Sequence, residues 1–137
     1  MKAFLSLGSN LGDKEANLDK AVGLINDQAG RVIRRSSFYY SEPWGFSSDN
    51  NFVNLVILIE TDLDPIDLLH TTQGIERMLG RTEKSKNGQY ADRIIDIDIL
   101  LYESVMMQTE ELTIPHPLML ERDFVMIPFK EIQENCK

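Results

Sequence analysis

Two aspartates, Asp96 and Asp98, stand one residue apart in the run Arg93, Ile94, Ile95, Asp96, Ile97, Asp98, Ile99, Leu100, Leu101, Tyr102. In a strand, residues two apart point to the same face. The two carboxylates are then neighbours, and Ile95, Ile97, Ile99 and Leu101 are expected to fill the other face. Adjacent carboxylates repel unless a cation or strong donors sit between them. Hard oxygen ligands suit Mg²⁺, which takes one or two carboxylates and completes its shell with substrate phosphates. The competing reading is a solvated polar face on a half-buried strand. Just before the pair come the basic residues Arg81, Lys84, Lys86 and Arg93, with Gly88 among them. Arg clamps phosphate bidentately and Lys offers a point charge. Together these groups point to metal-assisted phosphate chemistry; alone, the basic stretch reads equally as a solvated loop.

Two further clusters carry chemical potential. Ser41, Glu42, Pro43, Trp44, Gly45 and Phe46, with Phe52, Val53 and Asn54, place the only tryptophan and two phenylalanines around a loop. A flat heterocycle binds well between aromatic rings, with a few polar groups reading its edge. An Asn side chain supplies both a donor and an acceptor for such an edge. In an otherwise apolar strand a buried Asn54 needs partners, which a ligand or the backbone can supply. The competing reading makes Trp44 and Phe52 core residues. Downstream, Ile114, Pro115, His116 and Pro117 precede Arg122 and Phe124. Two prolines stiffen the backbone around His116, which can then donate to phosphate, move a proton, or be structural. His70 falls inside a predicted helix and reads as structural. The turn Gly8, Ser9, Asn10, Leu11, Gly12 lacks the Gly-Lys-Ser/Thr ending of a phosphate loop. No zinc-type Cys/His spacing is present.

The elements that must position these residues follow from periodicity. Residues 3–7 read as a strand running into the Gly8 turn. Asp13 is a candidate N-cap for a helix with Leu18, Ala21, Val22 and Ile25 at helical spacing. Residues 32–41 read as a strand, 42–51 as a loop, and 52–61 as a central strand. Asp64 followed by Pro65 starts a second helix, with Leu68, Leu69, Thr72, Ile75 and Leu79 on one face and Gly80 closing it. Residues 81–92 read as a loop and 93–102 as a strand. An extended piece at 112–114, a short helix near 119–124 and an amphipathic tail follow. The order β-α-β-β-α-β predicts an α+β, ferredoxin-like sandwich: an antiparallel sheet with both helices on one face, plus a C-terminal extension. The chain has 137 residues, which suits one domain over 1–137. A net charge of −8 argues against nucleic acid and anionic membranes as partners. No apolar run reaches membrane-span length, the start does not read as a signal peptide, and Cys136 is the only cysteine. These features suit a cytoplasmic enzyme.

The same segments, in the same order, resemble the 6-hydroxymethyl-7,8-dihydropterin pyrophosphokinases of folate synthesis. The resemblance rests on Leu5 to Gly12, Ser37 to Gly45, Phe52 to Asn54, Ile75 and Glu76 with Gly80 and Arg81, Asp92 to Ile99, and Ile114 to Pro117 with Arg122 and Phe124. It implies diphosphate transfer from ATP to a hydroxymethyl pterin with two Mg²⁺ ions. Asp96 and Asp98 would hold the metals and, with Arg81 and Arg93, form the catalytic set. Lys84, Arg93 and His116 would meet the ATP phosphates, Arg122 would lie in the ATP site, and Glu76 and Ile99 would fall in the nucleotide pocket. Ser41, Pro43, Trp44, Phe52, Asn54 and Phe124 would line the pterin pocket. Arg81 would open a mobile catalytic loop. The chain departs from many members at Glu83, where they carry a second arginine, and at Tyr90, where some carry tryptophan. Two other classes remain open at this stage. A ligand-binding module would use Trp44, Phe52 and Asn54 without the carboxylates; a metal-dependent phosphohydrolase would use the carboxylates without the pterin.

Overall fold

The structure, a computed structural model, describes residues 1–41, 51–80 and 94–134. Of the loop expected at 42–51 all but Asn51, and the whole loop expected at 81–92, lie outside the described residues, and with them Pro43, Trp44, Arg81 and Lys84, as does Arg93. In chain order the elements are β1 (Lys2–Ser9), α1 (Lys14–Gln28), β2 (Arg31–Arg35), β3 (Tyr39–Ser41), β4 (Phe52–Glu60), α2 (Pro65–Met78), β5 (Asp96–Tyr102), β6 (Met107–Gln108), β7 (Thr113–Ile114) and α3 (Asp123–Glu134). A single 3-10 turn, Met119–Glu121, precedes α3. The main sheet runs β2-β4-β1-β5, with β3 also paired to β4, and every pairing is antiparallel. This is the expected α+β, ferredoxin-like order.

Local chemistry explains the helix ends. The Asp13 carboxylate accepts from the Ala16 amide at 3.2 Å, and that of Asp64 accepts from the Asp67 amide at 2.8 Å, each satisfying an orphan donor of the first turn. Pro65 takes the first helical position of α2, and Gly80 ends it at φ +103°, a conformation glycine adopts without strain.

The sheet is buried on both faces. Alternate residues of β1, β4 and β5 (Leu5, Leu7, Leu55, Ile57, Ile97, Ile99) meet Leu18, Ile25, Leu68 and Ile75 of α1 and α2. The opposite alternation sends Val56, Leu58 and Leu100 against Met119, Val125, Phe129 and Ile132 at the C-terminal helix. There Phe4 meets Phe129 edge-to-face, with ring centroids 4.9 Å apart.

Two expectations are corrected. The strand expected over 32–41 is split in two at Ser36. Its hydroxyl accepts from the Val56 amide at 2.9 Å, so a side chain takes the place of a backbone acceptor and the ladder breaks. Leu101 does not join Ile95, Ile97 and Ile99. The β1–β5 register slips between Phe4 and Leu5, where Leu101 faces Phe4 and Ile99 faces Leu5. The extra residue, Leu100, is a bulge that turns Leu100 and Leu101 toward α3, and Tyr102 returns to the α1–α2 side.

Candidate active site

Cross-strand partners share a face of the sheet, so the register places the site. Asn54 pairs with Gly8, and Gly8 pairs with Asp96; one step along, Val56 pairs with Ser6 and Ser6 with Asp98. Ser41 pairs with Phe52 at the far edge. Ser41, Phe52, Asn54, Asp96 and Asp98 therefore share the face that α3 covers farther along, where Val56, Leu58 and Leu100 lie beneath it. The two aspartates are half-buried neighbours on the edge strand β5, as the alternation predicted.

Gly8 makes this surface possible. A Cβ there would come within 2.5 Å of the Asn54 amide nitrogen and 3.8 Å of the Phe52 ring. In the open space the Asn54 amide reaches the Leu7 carbonyl at 3.4 Å. Among the described residues its Oδ1 is buried without a hydrogen-bond partner, and so is the Ser41 hydroxyl. Buried polar atoms rarely go unsatisfied, so this pair makes the surface a candidate for the polar groups of a ligand. The sequence signalled Gly8 only as part of a turn; its cross-strand neighbours supply its role.

Three further candidate residues, His116, Arg122 and Phe124, come from the C-terminal segment. The His116 amide donates to the Leu100 carbonyl at 3.0 Å, which ties His116 to the strand carrying the aspartates. Its Nδ1 accepts from the Leu118 amide at 3.2 Å, so the neutral ring carries its proton on Nε2. Burial pushes the His116 pKa below its usual value, while the Asp96 charge pulls the other way. Arg122 is 7% exposed, burial lowers its pKa, and its guanidinium lies 5.5 Å from the Phe124 ring centroid. Phe124 packs against the α3-side core.

Two expected nucleotide-pocket residues sit differently from the rest. Glu76 is buried on α2 and accepts from the Ile97 amide at 2.8 Å, so it holds β5 at the residue between the two aspartates. The Ile99 side chain is in the α1–α2 core, on the face away from Asp96 and Asp98, and only its backbone is placed along the sheet edge. His70 meets Glu111 at 2.8 Å on the surface, remote from these groups in role as the sequence suggested. Among the described residues no group of three or more His, Cys, Asp or Glu side chains converges. Two carboxylates are what Mg²⁺ takes when phosphates complete its shell, so Asp96 and Asp98 fit that ion.

Residues 4–134 match the family described as 7,8-dihydro-6-hydroxymethylpterin-pyrophosphokinase (HPPK). A 2-amino-4-hydroxy-6-hydroxymethyldihydropteridine pyrophosphokinase of Porphyromonas gingivalis is 49% identical over 130 residues, covering 94% of this chain and 88% of that protein. The protein of the same description from Bacillus subtilis is 42% identical over 136 residues, covering 98% of this chain and 80% of its own. A crystal structure of Plasmodium falciparum HPPK-DHPS superposes with a TM-score of 0.73 at 16% identity, over 92% of this chain and 38% of that one. At that identity the superposition speaks for the fold, and this chain spans well under half of the solved protein. With the family match covering nearly its whole length, the chain belongs to the 7,8-dihydro-6-hydroxymethylpterin-pyrophosphokinase (HPPK) family.

Proposed function

We propose that this chain, as one catalytic domain, transfers diphosphate from ATP to 6-hydroxymethyl-7,8-dihydropterin, giving AMP and the pterin diphosphate in folate biosynthesis. The observation that carries the reading is the pairing of two orphaned buried polar atoms, Ser41 Oγ and Asn54 Oδ1, with two half-buried carboxylates on one face of the sheet. The orphaned atoms suit the amide-like edge of a pterin: the Asn54 oxygen accepts from a ring N–H, and the Ser41 hydroxyl can donate or accept. Phe52 and Phe124 supply apolar surface for the flat ring. Pro43 and Trp44 are assigned to the same pocket by their sequence positions.

The carboxylates of Asp96 and Asp98 would hold two Mg²⁺ ions. When bound, Mg²⁺ offsets the charge of the phosphates and of the developing transition state. The chain's own contribution is positioning and charge. His116 Nε2–H can donate to a phosphate oxygen while the ring stays neutral, and the Arg122 guanidinium adds fixed positive charge. Lys84 and Arg93 are assigned to the phosphates, and Arg81 to the catalytic loop, by sequence position. Glu76 steadies β5, and with Ile99 it would bound the nucleotide along that edge. The pterin hydroxymethyl oxygen bonds to the β-phosphorus in line, the bond from that phosphorus to the α-β bridging oxygen breaks, and AMP departs. The carboxylates of Asp96 and Asp98 are the bases available on this face to receive the hydroxyl proton.

No helix among the described residues is long and apolar enough to cross a membrane. A cytoplasmic enzyme acting on two small substrates, without nucleic acid or membrane, is the accompanying reading. Product analysis with ATP, Mg²⁺ and the reduced pterin tests it. AMP formed in step with pterin diphosphate, only when both substrates are present, is expected. ADP or free phosphate as the product would overturn it.

A further inference from the structure

β3 has only three residues, Tyr39–Ser41, yet it carries one of the orphaned polar atoms of the site. Pairing of so short a strand with β4 leaves its angle to the sheet weakly held. Alternation helps: Ser41 faces the site, so Tyr40 faces the opposite side, toward α1. There the Tyr40 phenol donates to the Glu15 carboxylate. The bond raises the phenol's pKa, so it remains a protonated donor across the neutral range. The adjacent residue, Lys14, donates from Nζ to the Asn51 carbonyl at 3.1 Å. Asn51 immediately precedes Phe52, the cross-strand partner of Ser41. Consecutive side chains in the first turn of α1 thus hold the residue before Ser41 and the residue before Phe52.

The base of this grip is itself fixed. Asp13 caps α1, and the Asn17 amide donates to the Leu11 carbonyl at 2.9 Å and to the Ser9 hydroxyl at 3.3 Å. α1 is therefore tied to the turn that follows Gly8, the glycine that makes room for Asn54. Ser41, Phe52 and Asn54 are all referred to one rigid helix end.

We propose that Lys14 and Glu15 are positioning residues for the pterin, acting through Asn51 and Tyr40 to set Phe52 and Ser41 while touching neither substrate. The inference rests on the pterin reading of this face. The described hydrogen bonds of Lys14 and Glu15 run to Asn51 and Tyr40 and not to Asp96, Asp98 or Arg122, so the larger effect falls on the pterin.

The test uses the full chain and the variants Lys14→Met, Glu15→Met, Tyr40→Phe and the double variant Lys14→Met/Glu15→Met. Calorimetric titration measures reduced hydroxymethyl pterin, with a non-transferable ATP analogue and Mg²⁺ present, and the analogue alone. The double variant is expected to bind pterin about fivefold more weakly, the size two exposed polar contacts can support. Analogue affinity and kcat should stay within about twofold, and the pterin KM should rise with the dissociation constant. Glu15→Met combined with Tyr40→Phe should lose no more than either alone, because both remove one contact. Unchanged pterin affinity in the double variant, with the parent binding normally, overturns the positioning role. Equal losses for pterin and analogue also overturn it, since they report general loosening. A parent chain that binds the analogue but no pterin overturns the pterin reading and this inference with it.

Discussion

Gly8 lies between Asn54 and Asp96 across three strands, and its missing side chain is the space the Asn54 amide occupies. Gly8→Ala puts a methyl group 2.5 Å from the Asn54 nitrogen, so the amide must turn away from its present direction. Pterin affinity should fall about tenfold or more, roughly 1.4 kcal/mol, while the ATP analogue binds as before; calorimetry separates the two. Asp98 makes a different contribution. Asp98→Ala should leave the fold intact by circular dichroism and lower kcat by about 10² or more, as loss of charge stabilisation in the transition state does. Near-normal turnover would remove it from the metal-holding pair. At His116 burial lowers the pKa below the usual 6.5, so the folded form resists protonation more than the unfolded chain. As pH falls through about 6.5 the unfolded state takes up the proton first, and this group's share of stability is lost toward acid. Urea denaturation of the metal-free protein at pH 7.5 and 5.0 should show a larger acid loss for the parent than for His116→Gln.

Among the elements, β3 and the bend before it are the most dependent on side chains. The Ser36 amide donates to the Val56 carbonyl and the Ser36 hydroxyl accepts from the Val56 amide, each at 2.9 Å. Ser36→Ala strands the Val56 amide inside the sheet and should cost about 1–3 kcal/mol in chemical denaturation. Ser36→Thr, which keeps the hydroxyl, should recover part of it. On the other side of the bend, the Glu131 carboxylate accepts from the Ser37 amide at 2.9 Å and the Ser37 hydroxyl at 3.1 Å, which joins α3 to the same stretch. β5 shows a comparable dependence. Its outer edge is held by Glu76 at Ile97 and by the His116 amide at Leu100, so the strand carrying both aspartates is supported although it has one sheet neighbour among the described residues.

For the molecule as a whole, the same three strands feed both cores, so neither face can loosen without the other. Phe129, on the buried face of α3, is 5% exposed and packs against Phe4. Phe129→Ala should cost about 3–5 kcal/mol by transfer and cavity formation. The melting transition should remain single and move down by roughly 10–20 °C. A separate early transition in far-ultraviolet circular dichroism would instead show that α3 unfolds alone. α3 covers the end of the sheet face that carries Val56, Leu58 and Leu100, away from Asn54 and Asp96, and Arg122 and Phe124 stand at its start.

Local rules written in the amino-acid order were enough for the helix caps at Asp13 and Asp64, for the shared face of Asp96 and Asp98, and for the β-α-β-β-α-β order. Each depends on neighbours within a few positions. The buried Asn54 was also recognisable as a polar residue in an apolar strand: backbone meets the need of its amide, and its oxygen is buried with no partner among the described residues. What only the tertiary structure decided depends on partners far apart in the chain. The Leu100 bulge follows from register against β1, and the break at Ser36 from Val56, twenty residues away. The space at Gly8 belongs to a side chain on β4, and the α1 grip on Tyr40 and Asn51 joins segments 25 and 37 residues apart. Periodicity names the face a residue takes; only packing names what stands opposite it.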